Sequence, residues 1–181
     1  MQRISVVGNS GSGKTTMATR LADALGIPRL ELDSVFHQAD WQPLPREEFR
    51  AAVREFAAAD AWVIDGNYDS AVRDLVWDRA DTVIWLDLPR HRIMRQLAAR
   101  TVRRMASGAE LWNGNRESWS SIFRLDPEES ILRWAWTRHH AYRDRLLRDS
   151  ADPALAHLQF VRLRSRAAAD EFARGAGGPA R

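Results

Sequence analysis

The sequence predicts an α/β fold: a five-stranded parallel sheet covered on both faces by helices, in three α/β/α layers. Short apolar runs alternate with segments of helical periodicity, the order of elements from which a parallel sheet is built. The apolar runs show no polar alternation, so both of their faces are expected to be buried. Size is the third observation: 181 residues, 45% of them hydrophobic, suit one compact doubly wound domain, placed at residues 1–174.

Residues 3–7 (Arg-Ile-Ser-Val-Val) are the first strand, ending at Gly8. Met17, Ala18, Leu21 and Leu25 then recur at helical spacing, and Gly26 and Pro28 end that helix. Leu30-Glu31-Leu32 is a short second strand ending at Asp33, and an irregular segment with Pro43 and Pro45 follows. A helix over residues 46–59 carries Phe49, Val53 and Phe56 on one face. Trp62-Val63-Ile64 is the third strand, ending at Asp65-Gly66, and residues 82–86 are the fourth, ending at Asp87. A long helix over 90–106 puts Arg92, Gln96, Arg100 and Arg103 on one face, with Met94, Leu97, Ala98 and Met105 nearer the core. Residues 107–125 read as a loop, 127–148 as a helix, 157–163 as the last strand and 166–174 as a short helix. The tail, residues 175–181, is expected to be disordered.

Composition narrows the function. No apolar run approaches the roughly 18–20 residues that span a bilayer, and the chain passes from Met1-Gln2-Arg3 straight into a strand. A cytoplasmic protein with no membrane partner is the expectation. The absence of cysteine excludes disulfides and cysteine-based metal sites. A formal charge of +3 is too small to indicate nucleic-acid binding by itself, and no DNA-reading motif is present. The arginines crowded between Arg90 and Arg148 read either as solvated helix faces or as a site for several phosphates.

One motif carries chemistry. Gly8-Asn9-Ser10-Gly11-Ser12-Gly13-Lys14-Thr15 matches G-x-x-x-x-G-K-[ST] in full, between an apolar strand and an amphipathic helix. This is a P-loop. The glycines allow the backbone N–H groups to form a nest, the helix N-terminus adds partial positive charge, and phosphate oxygens fill both. Lys14 would bridge the β- and γ-phosphates of ATP and the Thr15 hydroxyl would ligate Mg²⁺, with Thr16 completing the nucleotide-binding run. Lys14 is the only lysine in the chain, and it stands where a compact ammonium is needed.

Ligands bind at the carboxyl ends of parallel strands, where three aspartates fall. Asp33 is read as functional, because it ends a strand and precedes no helix that it could cap. Asp65, in Asp-Gly-Asn-Tyr, is read as either a metal ligand or a turn residue. Asp87, beside Leu88-Pro89, is read as a turn residue. Of the eight tryptophans, Trp62, Trp77 and Trp85 fall in or beside core elements and Trp134 and Trp136 in a helix, and all five are expected to pack. Trp41, Trp112 and Trp119 fall in loops, where they either stack on a ligand or form a satellite cluster. The histidines show no metal-ligand spacing.

The P-loop, the Trp41-Gln42-Pro43-Leu44-Pro45 segment, Ile64-Asp65-Gly66-Asn67-Tyr68, residues 84–89 and Leu111-Trp112-Asn113-Gly114-Asn115-Arg116-Glu117 together resemble the P-loop family labelled topology modulation proteins. That family sits among the adenylate-kinase-like nucleoside and nucleotide kinases. The resemblance implies the strand order 2-3-1-4-5, an acceptor-binding region at about 34–60 and a lid at about 107–125. It also implies a phosphate-gripping arginine at Arg100, with Gln96 at the position of that arginine's usual companion. Arg116 and Arg124 are the counterparts of lid arginines.

The expected function is ATP-dependent phosphoryl transfer to a small-molecule acceptor, a nucleoside or nucleotide being one class and a sugar acid another. Lys14, Asp33 and Arg100 are the candidate catalytic residues. A nucleotide-binding regulator or DNA-associated ATPase is the alternative.

Overall fold

A computed structural model describes residues 1–116 and 131–177. Its five strands are β1 (Arg3–Gly8), β2 (Arg29–Glu31), β3 (Trp62–Asp65), β4 (Thr82–Leu86) and β5 (Gln159–Leu163). All pair in parallel in the order β2-β3-β1-β4-β5, as the resemblance implied. Because β1 is central, its carboxyl end opens between two strands, and that end carries the P-loop.

Side-chain alternation along the strands builds two cores. Ile4, Val6, Val63, Ile84 and Leu86 point to the face covered by α1 (Lys14–Leu25) and by α7, the helix at Arg166–Gly175. Val7, Trp62, Ile64, Val83 and Trp85 point to the other face. That face is covered by α3 (Arg46–Ala57), α4 (Asp69–Trp77) and, through Leu146, α6 (Ile131–Asp149). The long helix α5 (Arg90–Ser107) packs against α6. Gly26 ends α1 at φ 67°, its N–H bonded to the carbonyl of Ala22, a left-handed cap that favours glycine. Among the described residues no helix is long and apolar enough to cross a membrane.

Several sequence expectations are corrected. The second strand lies one residue earlier than predicted, and the segment after it is a short helix, α2 (Leu32–Phe36), so Asp33 lies within a helical turn. That turn is held by the Ser34 hydroxyl on the Glu31 carbonyl (2.7 Å) and by the His37 N–H on the Asp33 carbonyl (3.0 Å). Helix α4 falls where no helix was predicted, burying Val72, Val76 and Trp77 against α3. On α5 the buried stripe is Ile93, Leu97, Thr101 and Met105; Arg92 and Arg103 face solvent, whereas Gln96, Arg100 and Arg104 flank the buried stripe. Trp136 is 49% exposed rather than packed in the core, with the Arg90 guanidinium 3.7 Å over its ring. The last helix runs through Gly175, one residue into the expected tail, and residues 178–181 lie outside the described residues. The start of the 127–148 helix also lies outside them.

Phe49 shows how the fold supports the site. It is fully buried on α3 and touches the rings of Phe36 and Tyr68 at 5.3 and 5.1 Å, holding α2 and the end of β3 against the core. Phe49→Ala is expected to lower stability by about 3–5 kcal/mol. Urea denaturation followed by tryptophan fluorescence measures this, and a loss under 1 kcal/mol would contradict the packing described.

Candidate active site

Between the end of β1 and the start of α1 the backbone turns through Gly8, Gly11 and Gly13 at φ 154°, 82° and 95°. Two of these glycines are required by space as well. A Cβ on Gly8 would lie 2.7 Å from the Ser12 hydroxyl and 2.9 Å from the Leu86 carbonyl. A Cβ on Gly11 would lie 2.9 Å from Leu97 Cβ, so the loop is seated directly on α5. Asn9 is buried and ties the loop down: its Nδ2 donates to the Ala135 carbonyl on α6 (2.8 Å), and its Oδ1 accepts from the Ser10 N–H (2.8 Å).

Lys14 Nζ donates to the carbonyls of Gly8 (2.9 Å) and Asn9 (3.3 Å), so the ammonium lies along the inside of the loop. Burial lowers its pKa; the charges of Asp33, Asp65 and Glu31 oppose the shift, while Arg100 adds to it. Lys14, Asp33, Asp65, Glu31 and Arg100 therefore share one electrostatic environment. Arg100 is partly buried on α5, on the side of the helix that meets the loop, whereas Thr16 is exposed in the first turn of α1.

Glu31 and Asp65 are directly opposed across β2 and β3. The Thr15 hydroxyl lies 3.0 Å from Asp65 Oδ2 and 3.1 Å from Glu31 Oε1, although its single proton can serve only one of them at a time. Arg29 faces both carboxylates, 3.3 Å from Asp65 Oδ1 and 3.6 Å from Glu31 Oε2. Asp65 is 2% exposed, and burial, with the Glu31 charge second, pushes its pKa up to about 6; the Thr15 bond, Arg29 and Lys14 pull the other way. These hard oxygen donors beside the phosphate loop fit Mg²⁺. Among the described residues no group of three His, Cys, Asp or Glu could hold a metal, so such an ion would complete its shell with water and phosphate oxygens.

Sequence reasoning missed Glu31. A carboxylate inside a short apolar strand was the available signal, but placing the strand one residue late put its end at Asp33. Asp33 nevertheless reaches the site: its Oδ1 accepts from Tyr68 Oη (2.7 Å), which is 3.4 Å from His37 Nε2. Burial, reinforced by Asp33, raises the Tyr68 pKa and keeps that phenol a donor. Asp87 belongs elsewhere. It accepts from Arg162 Nε (2.9 Å) and faces Arg143 Nε at 3.5 Å, an ion pair that joins β5 and α6 to the end of β4.

The segment after α5 docks on the segment after α2. Asn113, at φ 56°, donates from Nδ2 to the His37 carbonyl (2.6 Å). Asn115 donates to the carbonyls of Gln38 and Trp112 (2.8 Å each) and accepts from the Trp41 N–H (2.8 Å). His37 stacks on Trp112 at 5.9 Å, and Trp41 meets both rings edge-on, so these two loop tryptophans form a ring cluster with His37. Arg116 is exposed and faces Glu110 at 3.8 Å, and the structure does not bring it to the P-loop among the described residues. Arg124 and Trp119 lie outside the described residues.

No family model matches the chain, and no curated relative matches it. Solved structures do. A shikimate kinase from Acinetobacter baumannii, in complex with shikimate, superposes with a TM-score of 0.57 at 20% identity, over 96% of this chain and 89% of that one. A gluconokinase from Sinorhizobium meliloti 1021 gives 0.52 at 19% identity, over 97% and 89%. A shikimate kinase from Bacteroides thetaiotaomicron gives 0.53 at 15% identity, over 96% and 94%. The chain therefore has the P-loop fold of these small-molecule kinases.

The raised Asp65 pKa has a consequence for stability. The folded state holds the Asp65 proton up to about pH 6, whereas the unfolded chain loses it near 4. Between those values the native state binds more protons, so stability falls as pH rises through the window, by about 1–3 kcal/mol. Asp65→Asn is expected to flatten this dependence and to be more stable than wild type at pH 7.5. Urea melts at pH 4.5 and 7.5 compare the two, and parallel pH dependences would show that Asp65 ionises normally.

Proposed function

We propose that this chain is an ATP- and Mg²⁺-dependent phosphotransferase that moves the γ-phosphoryl group onto a hydroxyl of a small molecule. The observation that carries the reading is the position of Asp33: a carboxylate that bonds Tyr68 and acts on the charge of Lys14, at the sheet edge where the phosphate loop begins. A protein that only bound nucleotide would need no such group beyond the carboxylates near Thr15.

Each residue has a role in this reading. The backbone N–H groups from Gly8 to Thr15, with Lys14, hold the triphosphate. Thr15 and Asp65, joined by Glu31, hold Mg²⁺, which neutralises charge on the phosphate oxygens when bound. Arg100 stabilises charge on the transferring group from the α5 side. Asp33 orients the acceptor hydroxyl and takes its proton. Residues 34–60 bind the acceptor, residues 107–125 form the lid that excludes water, with Arg116 and Arg124 as its phosphate contacts, and residues 1–174 act as one domain.

Support comes from two directions. The neighbours in fold are kinases named for shikimate and gluconate, and one was solved with shikimate, so a small hydroxylated acceptor suits this architecture. The segments at Asp65–Tyr68 and Trp112–Glu117 resemble topology modulation proteins, which points instead to a nucleoside or nucleotide acceptor. Fold alone does not fix the acceptor.

The test is a phosphoryl-acceptor screen with labelled ATP over nucleosides, nucleotides, sugar acids and cyclic hydroxy acids. Asp33→Asn keeps the shape and the Tyr68 bond but removes the charge; it is expected to slow transfer about 10²–10⁴-fold with little change in ATP affinity. Lys14→Ala is expected to lose ATP binding and turnover together. ATP hydrolysis without any phosphorylated acceptor, unaffected by Asp33→Asn, would favour a regulatory or DNA-associated ATPase.

A further inference from the structure

Gly8 is the residue at which β1 stops being a strand. Its neighbour β3 follows β1 only as far as the Val6–Asp65 pair, and the Gly66 N–H makes the last main-chain bond, to the Val6 carbonyl at 3.4 Å. The β3 chain then turns away at Gly66, φ 145°. Gly8 is buried, so its N–H and C=O need partners on the side that β3 has left.

One side chain supplies both. Asn67 Oδ1 accepts from the Gly8 N–H (3.3 Å), and Asn67 Nδ2 donates to the Gly8 carbonyl (2.5 Å). The carboxamide acts as the missing peptide of β3. Its orientation is fixed by a third group: Tyr142 on α6 donates from Oη to Asn67 Oδ1 at 2.8 Å. A flipped amide would set Nδ2 against the Gly8 N–H and Oδ1 against the Gly8 carbonyl, so the network allows one orientation. Burial, with the Asp69 charge, raises the Tyr142 pKa and keeps the phenol protonated.

The Gly8 carbonyl has a second donor, Lys14 Nζ at 2.9 Å. Lys14 has three donors and already serves the Asn9 carbonyl (3.3 Å) as well, so it can hold both the β- and γ-phosphates only by giving up one of these loop carbonyls, Gly8 or Asn9. A buried carbonyl left without a partner is costly, and this cost would count against triphosphate binding.

We propose that Asn67 is a positioning residue for the phosphate loop: it keeps the Gly8 carbonyl paired when Lys14 turns to phosphate, and Tyr142 on α6 holds it in register. This rests on the P-loop reading of the site but not on any acceptor. It gives α6, which follows the 117–130 segment, a direct hold on the nucleotide site through Tyr142, Asn67 and Gly8 in turn.

The test is ATP affinity by calorimetry in the full chain, with thermal melts run in parallel. Asn67→Asp keeps the size but faces the Gly8 carbonyl with an acceptor, and is expected to weaken ATP binding about 10–100-fold. Tyr142→Phe removes only the fixing hydroxyl and is expected to weaken it a few-fold. In the Asn67→Ala background Tyr142→Phe should have no further effect, because Tyr142 acts through Asn67. A merely structural role would lower melting temperatures while leaving affinity in the folded variants at the wild-type value, and that result overturns the proposal. Equal, additive losses in the cycle overturn it too. If Asn67→Asp does not fold, unchanged ATP affinity in Tyr142→Phe is sufficient to reject it. Failure of the wild-type protein to bind ATP would instead overturn the P-loop reading, and this inference with it.

Discussion

The site is organised around one half-buried lysine, whose ammonium lies against the phosphate loop. Lys14 sits where desolvation disfavours its charge, and the fold answers by bringing carboxylates from separate elements to the same edge: Glu31 from β2, Asp33 from α2 and Asp65 from β3. A parallel sheet does this naturally, because all its strands end on one side. The arrangement is overloaded with negative charge where Glu31 and Asp65 face each other. Glu31 and Asp65 compete for the one Thr15 proton, and Arg29 is drawn in between them. Such a site is poised for cations and phosphates together, since each relieves what the other would aggravate.

The helices make that edge rigid. Helix α5 lies so close to the loop that Gly11 has no room for a side chain, and α6 is tied to the loop through Asn9 and to its flank through Tyr142 and Arg145, whose Nη2 meets Asp69 at 2.6 Å. The two helices bound the segment read as a lid, and the part of it nearest α5 is already fastened to residues 34–42 by Asn113 and Asn115. Residues 34–42 are therefore bonded to residues 113–115, and through Tyr68 and Asn67 they are linked to the phosphate loop.

Much of this was legible in the sequence. The P-loop and strands β1, β3 and β4 announce themselves, because glycine spacing and unbroken apolar runs are local signals. Helix α4 did not. Only Val72, Val76 and Trp77 are buried in it, too few to establish a period beside turn-forming residues on both sides. Helix α2 is five residues long and is held by a serine side chain and by packing of Leu32 against Gly66, neither of which is a propensity. On α5 Leu97 and Met105 lie in the buried stripe as read, but Ile93 and Thr101 complete it, with Met94 and Ala98 half-buried beside it. Glu31 was hidden by the boundary error in β2, which placed the carboxyl end of the strand at Asp33 instead of at Glu31.

What sequence patterns could not convey at all is the work of the asparagines. A carboxamide is the one side-chain group that carries a donor and an acceptor in peptide geometry, so it can stand in for a missing stretch of main chain. Asn9 does this between Ser10 and Ala135, Asn67 does it for Gly8, and Asn115 does it between Trp41 and Gln38. Each sits where regular pairing ends and the chain must turn to make a site. Hydrophobic periodicity describes the parts of a fold that repeat, and a binding edge is where repetition stops. The polar residues that satisfy the backbone there have no period to detect, although in this chain they recur as short Asn-Gly and Gly-Asn sequences at Gly8-Asn9, Gly66-Asn67 and Asn113-Gly114-Asn115. In those pairs the glycine supplies the turn, and the asparagine satisfies the groups that the turn leaves unpaired.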